Sequence, residues 1–247
     1  MKILLIDIET APNVAHVWGL WQQNVGLPQI IDAGYVLCWS AKWLDNDEVM
    51  FSSTFHDGRE QMLSKIHELL DEADAVIHYN GTKFDIPTLH KEFLLDGFAP
   101  PSPIKEIDLL RTARSKFRFP SNKLDYICQA LKLGKKTKHV GHELWIGCMS
   151  NEFKAWEMMK EYNINDVILL EKLYYEFRPW IKGHANHALY GDDGEVCPNC
   201  GKKHYHKRGY QYTASCKYQR FQCVECGTWF RGTKNVGLKA GDKFVGV

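Results

Sequence analysis

Apolar residues in the first hundred positions come in short runs broken by polar punctuation. Lys2–Ile8 is a nearly continuous apolar run closing on acid, the pattern of a buried strand. Ala33–Trp43 and Glu48–Thr54 are rich in Val, Tyr, Trp and Phe, and Leu44-Asp45-Asn46-Asp47 between them supplies a turn. Met62, Ile66, Leu69 and Leu70 then recur at helical spacing, predicting a helix to about Asp71 with Asp57 placed to cap it. A strand at Ala75–Tyr79, a helix over Phe84–Asp96 stopped by Gly97, and a strand near Ile104–Leu109 follow. Helices near Asn122–Leu131 and Asn151–Phe177 close the series. Three strands followed by strand–helix alternation predict an α/β fold around a sheet of mixed direction. Pro100-Pro101-Ser102-Pro103 reads as a rigid loop within it. Pro179 ends the long helix, and Lys182-Gly183-His184 and Gly191-Asp192-Asp193-Gly194 are poor in core residues. The expected organisation is therefore a domain over 1–180, a linker over 181–195 and a small domain over 196–247.

Charge sharpens that division. The 247-residue chain is 45% hydrophobic and 25% charged, a globular composition with a net charge of +1. The average hides two opposite parts. Residues 196–247 hold ten Lys/Arg against only Glu225 and Asp242, a net +8, leaving −7 for the rest. An acidic body with a basic tail points toward nucleic acid. Five of the eight cysteines also lie in the tail. Cys38, Cys128 and Cys148 are scattered through the body like ordinary buried residues. Asp7 interrupts the apolar start, which argues against a secretory signal, and no run approaches a membrane span. The expected setting is a reducing cytoplasm, where paired cysteines bind metal rather than each other.

Candidate chemistry in the body rests on carboxylates. Asp7 and Glu9 flank Ile8, and residues i and i+2 of a strand share a face, so both acids reach one site. Asp85 follows Asn80-Gly81-Thr82-Lys83-Phe84 at a strand-to-helix junction, where a helix N-cap is its ordinary role. Tyr162 and Asp166 stand at i and i+4 of the long helix, about 40° apart around its axis.

Together, Asp7-Ile8-Glu9-Thr10, the Asn80-to-Asp85 segment and Tyr162-x-x-x-Asp166 resemble the DnaQ-like (DEDD) superfamily of 3′–5′ exonucleases, over about residues 1–178. The tyrosine four residues before the last aspartate resembles the DEDDy branch, since position 161, where the other branch has histidine, is Glu. The resemblance implies an RNase H-like fold and phosphodiester hydrolysis using two Mg²⁺ or Mn²⁺ ions. It implies that Asp7 bridges the ions, Glu9 and Asp166 complete the first, Asp85 holds the second and Tyr162 orients the attacking water. Thr10, Asn80 and Phe84 are then candidate contacts to the terminal nucleotide. The expected partner is nucleic acid, DNA ahead of RNA and single strands ahead of duplex, in the cytoplasm of a prokaryotic or phage-infected cell. A structure-selective endonuclease or RNase on the same site, and a non-catalytic binding protein on an exonuclease scaffold, are the alternatives.

The tail carries two C-x₂-C knuckles, Cys197-Pro198-Asn199-Cys200 and Cys223-Val224-Glu225-Cys226, each followed by glycine and separated by 22 residues. That spacing predicts one structural Zn²⁺ on four thiolates. Cys216 fits neither knuckle and reads as a free thiol, while His204 and His206 are substitute ligands that a complete tetrahedron does not need. Lys207–Tyr212 and Tyr218–Phe221 read as ribbon strands, and the module resembles the zinc ribbons of transposase and phage nuclease proteins. Lys207, Arg208, Tyr210, Arg220, Trp229 and Arg231 interleave basic and aromatic side chains, suiting a phosphate backbone plus stacked bases. The run Arg111, Arg114, Lys116, Arg118 and the lysines of 132–139 are read as solvated faces, and Trp18, Trp21, Trp39 and Trp43 as packing residues.

Overall fold

The computed structural model describes residues 1–191 and 194–237. Asp192 and Asp193, and Lys239, Asp242 and Lys243 of the basic tail, lie outside the described residues. Two compact units emerge, Lys2–Leu173 and the segment from Tyr174 onward.

The first unit is built on β1 (Ile3–Thr10), which leads into the short strands β2 (Val14–Ala15) and β3 (Ile30–Asp32) and then β4 (Val36–Trp43) and β5 (Met50–Ser53). Helix α1 (Arg59–Glu72), β6 (Ala75–His78), α2 (Asp85–Leu95), β7 (Lys105–Asp108) and α3 (Leu109–Lys116) follow, then α4 (Leu124–Ala130), α5 (Glu143–Met149) and the long α6 (Phe153–Phe177). The sheet order is β5-β4-β1-β6-β7. β1 runs antiparallel to β4 and parallel to β6, and β7 runs parallel to β6, giving the mixed sheet expected from the sequence.

Alternation along β1 divides its faces. Leu4, Ile6 and Ile8 pack with Met62, Leu63, Ile66 and Leu70 of α1 and Ile86, Leu89 and Phe93 of α2. Each such burial stabilises by about 1.5–3 kcal/mol. The odd positions Asp7 and Glu9 face α6 instead.

Three local readings need correction. Asp57 does not cap α1, whose N-cap is Gly58 at φ 77°. Asp57 instead accepts from Ser52 Oγ at 2.6 Å and Lys65 Nζ at 2.8 Å. Asp85 is the first residue of α2 rather than its cap, a position held by Phe84. Trp39 is buried and donates to the Met62 carbonyl at 2.9 Å, but Trp18 and Trp21 are not packing residues: they are 98% and 84% exposed.

The second unit is a three-stranded antiparallel sheet, order β10-β9-β8, of β8 (Tyr205–Tyr212), β9 (Lys217–Cys223) and β10 (Trp229–Asn235). Phe221 and Phe230 stack at 5.4 Å and Tyr205 meets both edge-on at 5.3 and 5.4 Å, forming its small core. Among the described residues, no helix is long and apolar enough to cross a membrane.

Candidate functional site

β1 outruns its parallel neighbour. Its pairing with β6 is recorded at Ile3, Leu4 and Leu5, while its pairing with β4 continues to Thr10, with a register shift between Glu9 and Thr10. A shift of this kind is a bulge, which re-aims side chains and is common beside active sites. Past the end of β6 the Ile8 N–H donates to Asp85 Oδ1 at 3.2 Å, so the first carboxylate of α2 takes over where strand pairing stops. The carboxyl ends of β1 and β6 thereby form the rim on which open α/β sheets place their ligands.

Helix α6 closes the opposite side. Asp166 is buried, and its carboxylate meets those of Asp7 and Glu9 with ligand oxygens all within 4.8 Å of one another. Asn163, fully buried, donates through Nδ2 to Asp7 Oδ2 at 2.7 Å and so fixes that carboxylate. Lys136 Nζ ion-pairs with Asp166 and donates to the Tyr162 hydroxyl at 3.0 Å. Trp145 hydrogen-bonds Glu9. The His139, Trp145 and Tyr162 rings pack edge to face at 5.0–6.1 Å.

Burial and mutual repulsion dominate the electrostatics. Burial, then Asp166, Glu9 and Asp85, push the Asp7 carboxyl well above the carboxylate range. Burial likewise lifts Glu9 to about 8, against the pull of Lys136. Asp166 is raised by burial despite the same ammonium. Burial works to lower Lys136, but Asp166, Tyr162 and Asp7 outweigh it and hold the ammonium above the usual lysine range. Tyr162 is raised by burial and Asp166, so its hydroxyl keeps its proton.

The turn that carries Asp85 is sterically fixed. Buried His78 accepts from the Gly81 N–H at its Nδ1, 3.0 Å away, which leaves Nε2 to donate to Glu106 at 3.1 Å. Asn80 adopts φ 75°, and its N–H donates to Asp108 Oδ1 at 3.0 Å. Asp108 also caps α3 through Leu110 N. Burial raises Asp85 to about 6, against His78 and the Ile8 N–H. A Cβ on Gly81 would stand 2.3 Å from His78 Cγ. Gly81→Ala should therefore destabilise the protein by about 3 kcal/mol, read by urea denaturation. A change within about 0.5 kcal/mol of the parent would mean that this turn yields freely.

These residues fit a divalent cation by their own chemistry. Three hard oxygen donors converge, the acidic groups outnumber the Lys136 ammonium, and among the described residues no hydrogen-bond donor meets the buried Asp166 Oδ1. A family model of the RNase H superfamily matches residues 32–178, more than half of the sequence. The chain belongs to the RNase H superfamily. The matched span includes Asp85, Tyr162 and Asp166, while Asp7 and Glu9 of this RNase H superfamily member lie before it. Among solved structures, the fold is similar to that of the family B DNA polymerase from the hyperthermophilic archaeon Pyrobaculum calidifontis. The TM-score is 0.55 at 16% identity, over 72% of this chain and 24% of the polymerase, so the likeness is one of fold and covers about a quarter of that protein. Comparison with curated proteins gives no match.

Of the sequence-derived contacts in the RNase H superfamily unit, Thr10 ends β1, Asn80 lies in the Asp85 turn, and Phe84 is 43% exposed beside Asp85. The sequence reading missed Lys136, Asn163 and Trp145. Lys136 was visible only as one of several lysines in 132–139, and Asn163 lay unremarked inside Tyr162-Asn163-Ile164-Asn165-Asp166.

In the second unit Cys197, Cys200, Cys223 and Cys226 gather their sulfurs within 4.8 Å of one another. The Cys197–Cys226 and Cys200–Cys223 sulfurs are 3.6 Å apart, too far for disulfides and close to the roughly 3.8 Å edge of a tetrahedral Zn–thiolate site. Gly201 at φ 70° and Gly227 at φ 71° close the two knuckles. Backbone amides of Asn199 and Cys200 point at the Cys197 sulfur, and that of Lys202 at Cys200. His204 pairs with Glu225 at 3.1 Å, His206 is exposed on β8, and Cys216 is a free thiol.

Strand register sorts the basic and aromatic candidates. Lys207 and Tyr210 sit opposite Phe221 and Gln219, on the same sheet face as the ring cluster, with Arg208 in the irregular stretch between them. Arg220 and Arg231 are direct cross-strand partners on the other face, lying over Trp229 at 4.9 Å and Tyr218 at 3.7 Å respectively. The three strands contain no Asp or Glu to offset them. Facing like charges destabilise a sheet, and an anion from outside relieves that cost.

Proposed function

We propose that this protein is a metal-dependent 3′–5′ exonuclease of the DnaQ-like, DEDDy type acting on single-stranded DNA. Residues 1–180 form the catalytic domain, 181–195 a linker and 196–247 a nucleic-acid-binding zinc ribbon. The observation that carries the reading is the convergence of Asp7, Glu9 and Asp166, with Tyr162 one turn before Asp166 and Asp85 beside them. Membership of the RNase H superfamily supports nuclease chemistry, and a DNA polymerase with a similar fold supports DNA as substrate.

Asp7, Glu9, Asp85 and Asp166 would hold two Mg²⁺ or Mn²⁺ ions, and Cys197, Cys200, Cys223 and Cys226 one Zn²⁺. The catalytic ions, when bound, supply an activated water and neutralise charge on the phosphate and leaving oxygen. The protein's residues do the rest. Asn163 orients Asp7, and the protonated Tyr162 hydroxyl, held by Lys136, orients the water. Lys136 keeps a positive charge at the site that offsets the negative charge of the incoming phosphate. Thr10, Asn80 and Phe84 contact the terminal nucleotide, with the Phe84 ring free to stack on its base. In the ribbon, Arg220, Arg231 and Trp229 on one face, with Lys207, Arg208 and Tyr210, hold the strand.

Degradation of 3′-labelled and 5′-labelled single strands with Mg²⁺ or Mn²⁺ tests the polarity. Immediate release of labelled mononucleotide from the 3′ label, with a descending ladder from the 5′ label, is the expected pattern. Mid-strand cuts would assign an endonuclease, and binding without turnover a non-catalytic scaffold.

A further inference from the structure

The chain between β1 and β4 leaves the carboxylate strand and projects its apolar residues into solvent. From Ala11 to Ile31 it contains no Asp, Glu, Lys or Arg. Trp18 is 98% exposed, Leu20 87%, Trp21 84% and Leu27 84%. Single exposed apolar residues are ordinary, but four so exposed within ten positions of one segment mark a surface that something covers.

The neck of this segment is held firmly. Ala11 N donates to Tyr35 O at 2.8 Å, and Gly34 N to Asn13 Oδ1 at 2.7 Å. A Cβ on Gly34 would approach Ala11 O to 2.5 Å, so the two legs are as close as glycine allows. Lys91 Nζ reaches across from α2 to the Gly34 carbonyl at 2.8 Å. Further out, His16 N donates to Gln29 O at 2.9 Å, and Gln29 Nε2 returns to His16 O at 2.8 Å. The result is an anchored stalk whose tip, Trp18 to Asn24, offers two indoles and the amides of Gln22 and Asn24, while Gln23 Nε2 donates to the Trp21 carbonyl at 3.0 Å.

We propose that Trp18 and Trp21 form a base-stacking clamp for the unpaired strand entering the carboxylate site. The inference rests on the exonuclease reading for its ligand. The stalk springs from the strand that carries Asp7 and Glu9, so a chain end delivered to those acids passes its root. Indole faces stack on any base regardless of sequence, and neutral amides meet base edges without attracting counter-charge. A tip lacking cations holds bases rather than phosphates.

The test compares the full-length protein with the double variant Trp18→Ala, Trp21→Ala, without added Mg²⁺ or Mn²⁺. Fluorescence anisotropy measures binding to labelled dT12 and to the same oligomer with three abasic positions near its 3′ end. The parent should lose about tenfold in affinity on the abasic oligomer. The variant should lose about tenfold on dT12 and no longer distinguish the two. Equal affinity of variant and parent for dT12, or no measurable binding by the parent, overturns the clamp. So does a parent dimer that becomes monomeric in the variant with unchanged DNA affinity, which would assign the tip to a second copy of the chain. Hydrolysis assays in parallel separate the two readings. Turnover with equal affinities refutes the clamp and leaves the exonuclease, whereas base-dependent affinity without turnover does the reverse.

Discussion

Asp7→Asn should leave a protein that hydrolyses DNA at least about 10³-fold more slowly yet, without divalent metal at pH 8, is more stable than its parent. The sign follows from the raised carboxyl groups. Glu9 is lifted to about 8 and Asp85 to about 6, and Asp7 and Asp166 are raised too, chiefly by burial. Between pH 4 and 8 the folded site binds more protons than the unfolded chain, so these groups make stability fall as pH rises. Below the unfolded values both states are protonated and the penalty vanishes; above the folded values it is complete. Removing one of the charges should raise stability at pH 8 by about 2 kcal/mol and flatten the slope between pH 5 and 8. Metal should act in the opposite direction: at about 100 times its dissociation constant, Mg²⁺ or Mn²⁺ should stabilise the parent by about 2.7 kcal/mol and the variant much less. Thermal melts across pH 5–8, with and without metal, check both statements. A variant less stable than the parent throughout, or equally stabilised by metal, would show that Asp7 is not a metal ligand in a strained cluster. Asp166→Ala should lose as much activity, while its loss of the Lys136 partner leaves an unpaired ammonium and so no such gain in stability.

Stripping the cysteine centre should unfold the ribbon. Its ring core is Tyr205, Phe221 and Phe230, and most of β8 is exposed. A structural zinc site contributes on the order of 10–16 kcal/mol in such modules, more than a core of this size supplies. A zinc-selective chelator, or Cys200→Ser, should therefore open residues 196–237 to protease and weaken single-strand binding about tenfold or more. Elemental analysis of the parent should give one zinc per chain. Unchanged protease resistance and affinity after chelation would remove both the structural metal and the ribbon's binding role.

What was legible in the sequence was whatever depends on periodicity or fixed spacing. The alternation Asp7-Ile8-Glu9 placed two acids on one strand face, and the four-residue step from Tyr162 to Asp166 placed a phenol and a carboxylate on one helix flank. The C-x₂-C spacings gave the sulfur cluster. Lys136 was illegible because it sits in the irregular stretch between α4 and α5, and only folding decides which of several lysines meets Asp166. Trp145 lies on α5, a helix of seven residues too short to print a periodic signal. Asn163 could not be singled out because its role depends on the distance of α6 from β1. Trp18 and Trp21 misled for the opposite reason: tryptophan is ordinarily driven inward, and a surface that departs from that rule gives no local sign.

Asp85 differs from the other acids in what its loss entails. Its oxygen satisfies the Ile8 N–H of the central strand, so removing it orphans a buried donor at a cost of about 1–3 kcal/mol. Asp7 and Glu9 are held against burial and mutual repulsion, and neutralising either relieves the fold, whereas Asp166 is tied to Lys136. A lineage that abandoned the reaction would shed Asp7 and Glu9 quickly and keep Asp85 for its structural service alone. As witnesses to continued use of this site, the costly pair therefore carries more weight than Asp85.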